Sequence, residues 1–157
     1  RDDGLEQRIV LPGELTEAEI AAGIAQLREV AARAIVALDP VRADGPGLDR
    51  SAVVWAEGYI ERERGLAGPA QPVPEDLVYT LGAVVGESIL AAADGAWVWD
   101  ELQRDWCIAL AAGGRVFPMG KVWRQYTRGI DAGESLVVFY DIVVDFLAKG
   151  KLPAGNV

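Results

Sequence analysis

The chain has 157 residues, of which 51% are hydrophobic and 25% are charged, a composition typical of one globular domain rather than a disordered chain. Its net charge of −9 repels nucleic-acid phosphates and anionic lipids. We therefore predict a single domain over residues 1–157 with loose ends at 1–4 and 151–157, and neither a nucleic-acid nor a membrane partner.

The first half of the chain predicts helices. Thr16 and Glu19 have the spacing of a capping box, and apolar residues then recur every three or four positions as far as Asp39-Pro40. After a loop rich in Gly, Pro and Asp, either Asp49 or Ser51 can cap a second helix. Both helices are expected to be amphipathic, with one apolar side turned to a core.

A third helix is predicted to begin with Pro74 as its first residue. It contains the stretch "LGAVVGES", in which Gly82 and Gly86 are four residues apart. No strand precedes these glycines and no Lys-Ser or Lys-Thr follows them, unlike in a phosphate-binding loop. Each glycine costs about 1 kcal/mol against alanine in a helix. We interpret them as points of close approach to another element, and a ligand site is the alternative.

After Asp94-Gly95 the hydrophobic residues no longer recur with the helical period of about 3.6 residues but with the strand period of 2 residues. The segments "AWVWDE", "DWCIALA" and "RVF" predict three short strands. Gly113-Gly114 is a signal for a two-residue hairpin turn between the second and third strands, and Pro118 ends the third. These strands predict a small antiparallel meander with one face packed on helices.

Two further helices are predicted after the meander. The first has apolar residues on one side, Trp123 among them, and places Lys121, Arg124 and Arg128 largely on another. The second lies within residues 132–150 and is apolar around most of its circumference. The predicted fold class is therefore α+β, with about five helices packed on a small antiparallel β-meander in the second half of the chain.

The residue types present disfavour several chemistries. The chain contains no histidine, which excludes Ser-His-Asp and Cys-His catalysis in their usual forms and most zinc sites. Cys107 is the one cysteine, so no internal disulfide forms, and a reducing compartment is favoured. We interpret Cys107 as a buried structural thiol rather than a nucleophile. We expect a cytoplasmic protein that is not an enzyme and that holds no cofactor and no metal.

Acidic residues suggest two places for a partner. Glu134, Asp141 and Asp145 are predicted to share one stripe of the last helix, although like charges at i and i+4 disfavour a helix. Four explanations stay open for this stripe: a solvated surface, pairing with the basic side chains of the preceding helix, contact with Arg and Lys of a partner, or a metal ion.

The second acidic patch lies between the first two strands. Asp100, Glu101 and Asp105 are close in sequence to Trp99 and Trp106, and aromatic residues are enriched at protein interfaces. For Trp97, Trp99 and Trp106, burial in the core is favoured and a role in an interface is the alternative. The predicted partner-binding residues are Asp100, Glu101, Asp105, Trp106, Glu134, Asp141 and Asp145.

The segment 77–147 resembles a pattern found in small uncharacterised bacterial proteins. The residues that carry the resemblance are "LGAVVGES", "AWVWD", "RVFPMGKVWRQ" and "ESLVVFYDIV". Some proteins of this appearance are similar to immunity proteins, which neutralise a toxin by direct binding. The resemblance implies structural roles for Glu87 and Pro118, and an immunity-type function.

Together these observations predict a non-enzymatic acidic binding protein whose partner is another protein of basic character. The alternative is a domain that binds a small molecule in a groove between the sheet and the helices.

Overall fold

Three helices, a small sheet and two further helices follow one another along the chain, in the order that the sequence predicts. The structure is a computed structural model that describes residues 13–38, 48–68 and 72–151. Within those ranges the helices are α1 (Glu17–Leu38), α2 (Arg50–Ala67), α3 (Glu75–Ala92), α4 (Pro118–Arg128) and α5 (Leu136–Asp145), and the strands are β1 (Gly95–Asp100), β2 (Asp105–Leu110) and β3 (Arg115–Val116). The strands form an antiparallel sheet in the order β1-β2-β3, which confirms the predicted α+β class.

The predicted loose ends fall almost entirely outside the described residues. Residues 1–4 and 152–157 are among those that the structure does not describe. Lys151 is exposed, and its amide donates a hydrogen bond to the Phe146 carbonyl at 2.8 Å.

The starts of the first two helices follow the predicted caps. The Thr16 amide donates to the Glu19 carboxylate at 2.9 Å, and the Glu19 amide donates back to Thr16 Oγ1 at 3.1 Å. Asp49 caps α2 by accepting from the Ser51 amide at 2.9 Å. Pro74 is the N-cap of α3 rather than its first residue, because its backbone is extended with ψ at 114°. The helix therefore begins one residue later than predicted.

Glycines in α3 let two large side chains approach the helix backbone. A methyl group at Gly86 would overlap carbon atoms of the Trp97 indole. A methyl group at Gly82 would lie 2.6 Å from Met119 Cγ. The prediction that Gly82 and Gly86 mark close approach to another element is thus confirmed, since β1 and α4 both pack on α3 at these positions.

The strand register determines which side chains face the helices. Trp97 pairs with Ile108 and Trp99 pairs with Trp106, so all four lie on one face of the sheet. The Trp106 indole lies against Gly23 of α1 and makes a T-shaped contact with Trp99, with ring centroids 5.1 Å apart. Trp106 therefore contributes to the packing between the sheet and α1.

One buried core joins the helices and the sheet. Its members include residues from each of the five helices and from the strands. Representative members are Leu27, Val53, Leu81, Trp97, Ile108, Met119 and Leu136. No described helix is both long enough and apolar enough to cross a membrane.

Two local predictions in the second half are wrong. The turn between β2 and β3 spans residues 111–114 rather than two residues, and the Leu110 amide donates to the Gly114 carbonyl at 3.0 Å. The last helix is shorter than predicted, because Ser135 caps its start by accepting from the Val138 amide at 3.1 Å. Glu134 therefore precedes α5, and the helix ends at Asp145.

Candidate functional site

Glu134 lies at the centre of a cationic cluster from α4. Its carboxylate accepts a hydrogen bond from Lys121 Nζ at 2.6 Å, and guanidinium nitrogens of Arg124 and Arg128 lie 3.5 and 3.4 Å from it. The hydrogen bond from Lys121 lowers the pKa of Glu134. Pairing with the basic side chains of α4 is therefore the explanation that holds for Glu134. One carboxylate faces three cations, which leaves two positive charges in excess.

Asp141 and Asp145 have different surroundings from Glu134. Asp141 receives two hydrogen bonds from Arg50 of α2, at 2.8 and 2.9 Å, and this pairing lowers the pKa of Asp141. Asp145 is exposed at the end of α5. The predicted stripe of three acids on one helix is wrong for Glu134. The described residues contain no group of three or more His, Cys, Asp or Glu side chains positioned to hold a metal ion.

Asp100 and Glu101 are engaged within the β1–β2 turn. The Asp100 carboxylate accepts from the Gln103 amide at 2.8 Å and from Arg115 Nη1 at 2.7 Å, and these bonds lower the pKa of Asp100. Glu101 lies 3.9 Å from Arg104, whose φ of 51° is in the left-handed region. Asp100 thus contributes to the shape of the hairpin, whereas both carboxylate oxygens of Glu101 are buried without a hydrogen-bond partner among the described residues.

Asp105 has an environment unlike that of the other acids. Its half-buried carboxylate accepts a hydrogen bond from the Trp106 amide at 2.9 Å, and no Lys or Arg of the described residues forms an ion pair with it. Burial raises the pKa of Asp105, and the nearby charge of Asp100 adds to that increase. Because a desolvated carboxylate is stabilised by an opposite charge, this position favours a cationic ligand.

Asp105 lines a cavity between the sheet and helices α3 and α4. The cavity has a volume of about 550 Å³, and we call it the acidic cavity. Its other walls include Glu75 and Tyr79 of α3 and Met119 and Trp123 of α4. None of the described residues that line it is cationic. Two carboxylates beside two aromatic rings form a site that suits a positively charged group.

A second cavity adjoins the acidic cavity along α4. It has a volume of about 520 Å³ and is lined by Gly120, Arg124 and Arg128, and we call it the basic cavity. Four residues line both cavities, namely Val78, Asp105, Met119 and Trp123. The two cavities therefore form one continuous depression, the α4 groove, with acidic residues at one end and basic residues at the other.

Trp123 occupies the middle of the α4 groove. Its side chain is 46% exposed, although the helical spacing predicts an inward position. Large aromatic side chains exposed in a groove are typical anchors in protein interfaces. Of the seven predicted partner-binding residues, Asp105 alone lines the α4 groove. Glu75, Tyr79 and Trp123 are groove residues that the sequence did not indicate.

Comparison of the chain with protein-family models, with curated proteins and with solved structures finds no match. The geometry and charge of the α4 groove are therefore the basis for a functional proposal.

Proposed function

We propose that this protein is a non-enzymatic binding protein that captures a basic protein partner by accepting an Arg or Lys side chain in the acidic cavity. The observation that supports the proposal is the half-buried Asp105 carboxylate, which lacks a described cationic partner and lies in a cavity walled by Trp123. An incoming cation would restore the charge balance of Asp105 and could stack on the indole of Trp123.

The energetics favour a guanidinium or ammonium group over a neutral side chain. A cation over an aromatic ring contributes about 0.5–2 kcal/mol, and a charge-assisted hydrogen bond is roughly twice as strong as a neutral one. Arginine is also among the residues that dominate binding energy in protein interfaces. The net charge of −9 would accelerate encounter with a basic partner, since long-range attraction raises association rates.

A toxin antagonist of the immunity type is the specific form that this proposal takes. Neutralisation by direct binding needs a complementary surface and no catalytic group, which agrees with the absence of histidine from the chain. The proposal places the protein in the cytoplasm, where the single thiol of Cys107 stays reduced.

The test is a titration of ¹⁵N-labelled protein with the capped peptide acetyl-Gly-Arg-Gly-amide, followed by amide chemical shifts. We expect shifts at Asp105 and Trp123 and a Kd of about 1 mM or tighter, which corresponds to about 4 kcal/mol. The Asp105→Asn variant should bind about tenfold more weakly, a loss of about 1.4 kcal/mol. Asp131→Asn is the matched control, because Asp131 is exposed and does not line the α4 groove.

The same titration distinguishes the competing explanations. Equal losses of affinity in Asp105→Asn and Asp131→Asn would show that only general charge attraction operates, and the proposal would be rejected. Binding of acetyl-Gly-Gln-Gly-amide with the same affinity would reject it as well. Agmatine, which carries a guanidinium on a free small molecule, tests the alternative of a metabolite site. Binding of agmatine at least tenfold tighter than the arginine peptide would favour that alternative over a protein partner.

A further inference from the structure

We infer that the basic cavity is an anion subsite, so that the α4 groove recognises a segment in which a basic residue stands next to a carboxylate. The cationic half of this ligand rests on the proposed function. The anionic half rests on a separate observation, which is the excess of positive charge around Glu134.

The contacts of Glu134 are unequal, and this leaves two arginines with free donors. Lys121 makes the short contact at 2.6 Å and is 12% exposed, so it is the cation to which Glu134 is bound most closely. Arg128 Nη1 donates a long hydrogen bond to Glu134 Oε2 at 3.4 Å, and Arg124 Nε forms an ion pair with Glu134 at 3.5 Å, so both contacts are longer than the usual 2.7–3.2 Å of N–H···O hydrogen bonds. The side chains of Arg124 and Arg128 are 40% and 58% exposed. Each guanidinium has five N–H donors, and Glu134 accepts few of them.

The two arginines are placed to act on one ligand. Positions 124 and 128 are one turn apart on the same side of α4, and both side chains line the basic cavity. Nη1 of Arg124 lies 3.5 Å from the place that a Cβ on Gly120 would take, so the guanidinium folds over a backbone that carries no side chain. A carboxylate between two guanidinium groups is a strongly favoured arrangement because each arginine can donate two parallel hydrogen bonds.

Asp105 connects the two halves of the groove. It lines both cavities, so its negative charge opposes an anion in the basic cavity as long as the acidic cavity is empty. A cation bound beside Asp105 removes this opposition, and by thermodynamic linkage the bound anion favours the cation equally. A ligand that carries both charges is therefore expected to have a binding free energy more favourable than the sum for a cation and an anion that each bind alone.

Two ligand sources have this chemistry. One is an internal Arg-Asp or Arg-Glu sequence in a partner protein, and the other is an arginine at a chain terminus, where the terminal carboxylate is adjacent. The probes are four peptides that differ in these charges. They are acetyl-Gly-Arg-Gly-amide, acetyl-Gly-Gln-Asp-amide, acetyl-Gly-Arg-Asp-amide, and acetyl-Gly-Gly-Arg with a free carboxylate.

The experiment measures the Kd of each peptide for the wild-type chain, for Arg128→Gln and for Arg28→Gln. We expect at least one of the two doubly charged peptides to bind tenfold or more tightly than acetyl-Gly-Arg-Gly-amide, and the tighter of the two identifies the source. In Arg128→Gln this gain should fall below threefold. Arg28→Gln, which removes an exposed arginine of α1, should leave the gain intact.

The possible failures separate the two proposals. If acetyl-Gly-Arg-Gly-amide does not bind, the proposed function fails. If it binds but neither added carboxylate increases affinity by threefold, the anion subsite is overturned and a pocket for a cation alone remains. If Arg28→Gln abolishes the gain as completely as Arg128→Gln, the gain comes from net charge, and the subsite is overturned as well.

Discussion

Replacing Gly82 with alanine tests whether the close packing of α3 on α4 sets the geometry of the α4 groove. The added methyl group would lie 2.6 Å from Met119 Cγ, 2.9 Å from its Sδ and 3.0 Å from its Cα. Rotation of the Met119 side chain can relieve the first two contacts but not the third, which involves a backbone atom. The two helices must therefore move apart slightly. Because Met119 lines both cavities, this movement of the helices changes the shape of the α4 groove.

The free-energy cost of the clash at Gly82 can be isolated with a matched variant in α2. At Gly58 no described atom lies within 4 Å of an added methyl group, so Gly58→Ala changes helix propensity without a clash. Both variants gain up to about 1 kcal/mol from the propensity of alanine. Gly82→Ala alone has the overpacking cost of about 1–3 kcal/mol. Its free energy of unfolding should therefore be about 1–3 kcal/mol lower than that of Gly58→Ala.

Urea denaturation followed by far-ultraviolet circular dichroism measures this difference directly. Thermal unfolding should agree, with the Tm of Gly82→Ala lower than that of Gly58→Ala by about 2–4 °C per kcal/mol for a chain of this length. Gly82→Ala should also weaken binding of the arginine peptide, whereas Gly58→Ala should not. Equal stabilities for the two variants would refute the reasoning, because they would show that α4 does not press on α3 at Gly82.

Two further predictions concern buried polar groups. Glu134→Gln should lower the free energy of unfolding by about 1–3 kcal/mol at pH 7, because the poorly exposed Lys121 loses its carboxylate. Pairing lowers the pKa of Glu134 from its ordinary 4.5, so this contribution is present above pH 4.5 and is lost as the pH falls through the folded-state pKa. Urea midpoints of the two proteins should thus converge in acid, and an unchanged gap at pH 3 would contradict the assignment. Cys107 is fully buried and burial raises the pKa of its thiol, so its reaction with Ellman's reagent at pH 8 should be slower in the folded protein than in urea; similar rates would show that the thiol is accessible.

Local patterns were sufficient to predict the elements of this fold. The Thr16–Glu19 box and the Asp49 cap involve residues at most three positions apart, so the sequence alone contains both partners. The glycines of α3 were interpretable because glycine inside a good helical pattern needs a compensating contact. Trp97 supplies that contact at Gly86, and its indole N–H donates to Glu87 at 2.9 Å.

The α4 groove was not predictable because distant residues determine which side of α4 is buried. Helical spacing placed Trp123 inward together with other apolar residues. In the structure, Gln125 occupies a fully buried position instead. Its amide accepts a hydrogen bond from the Leu136 amide at 2.9 Å and donates to Glu61 at 3.0 Å. These partners lie on α5 and α2, and satisfying them rotates the buried side of α4 away from Trp123, which leaves the indole in the groove.

The same reasoning explains why net charge did not indicate the α4 groove. Partners far along the chain neutralise several predicted acids, as Arg50 does for Asp141 across 91 positions. What the excess of acidic residues supplies is a long-range field, which influences how fast a basic partner arrives. Affinity for a particular segment must instead come from groups left without an opposite charge at short range. Asp105 in the acidic cavity is such a group. In the basic cavity, Arg124 and Arg128 share the single carboxylate of Glu134 with Lys121, which leaves positive charge in excess. Specific recognition in this protein is therefore expected to depend on a groove whose two ends have opposite charge, within a molecule whose overall charge is negative.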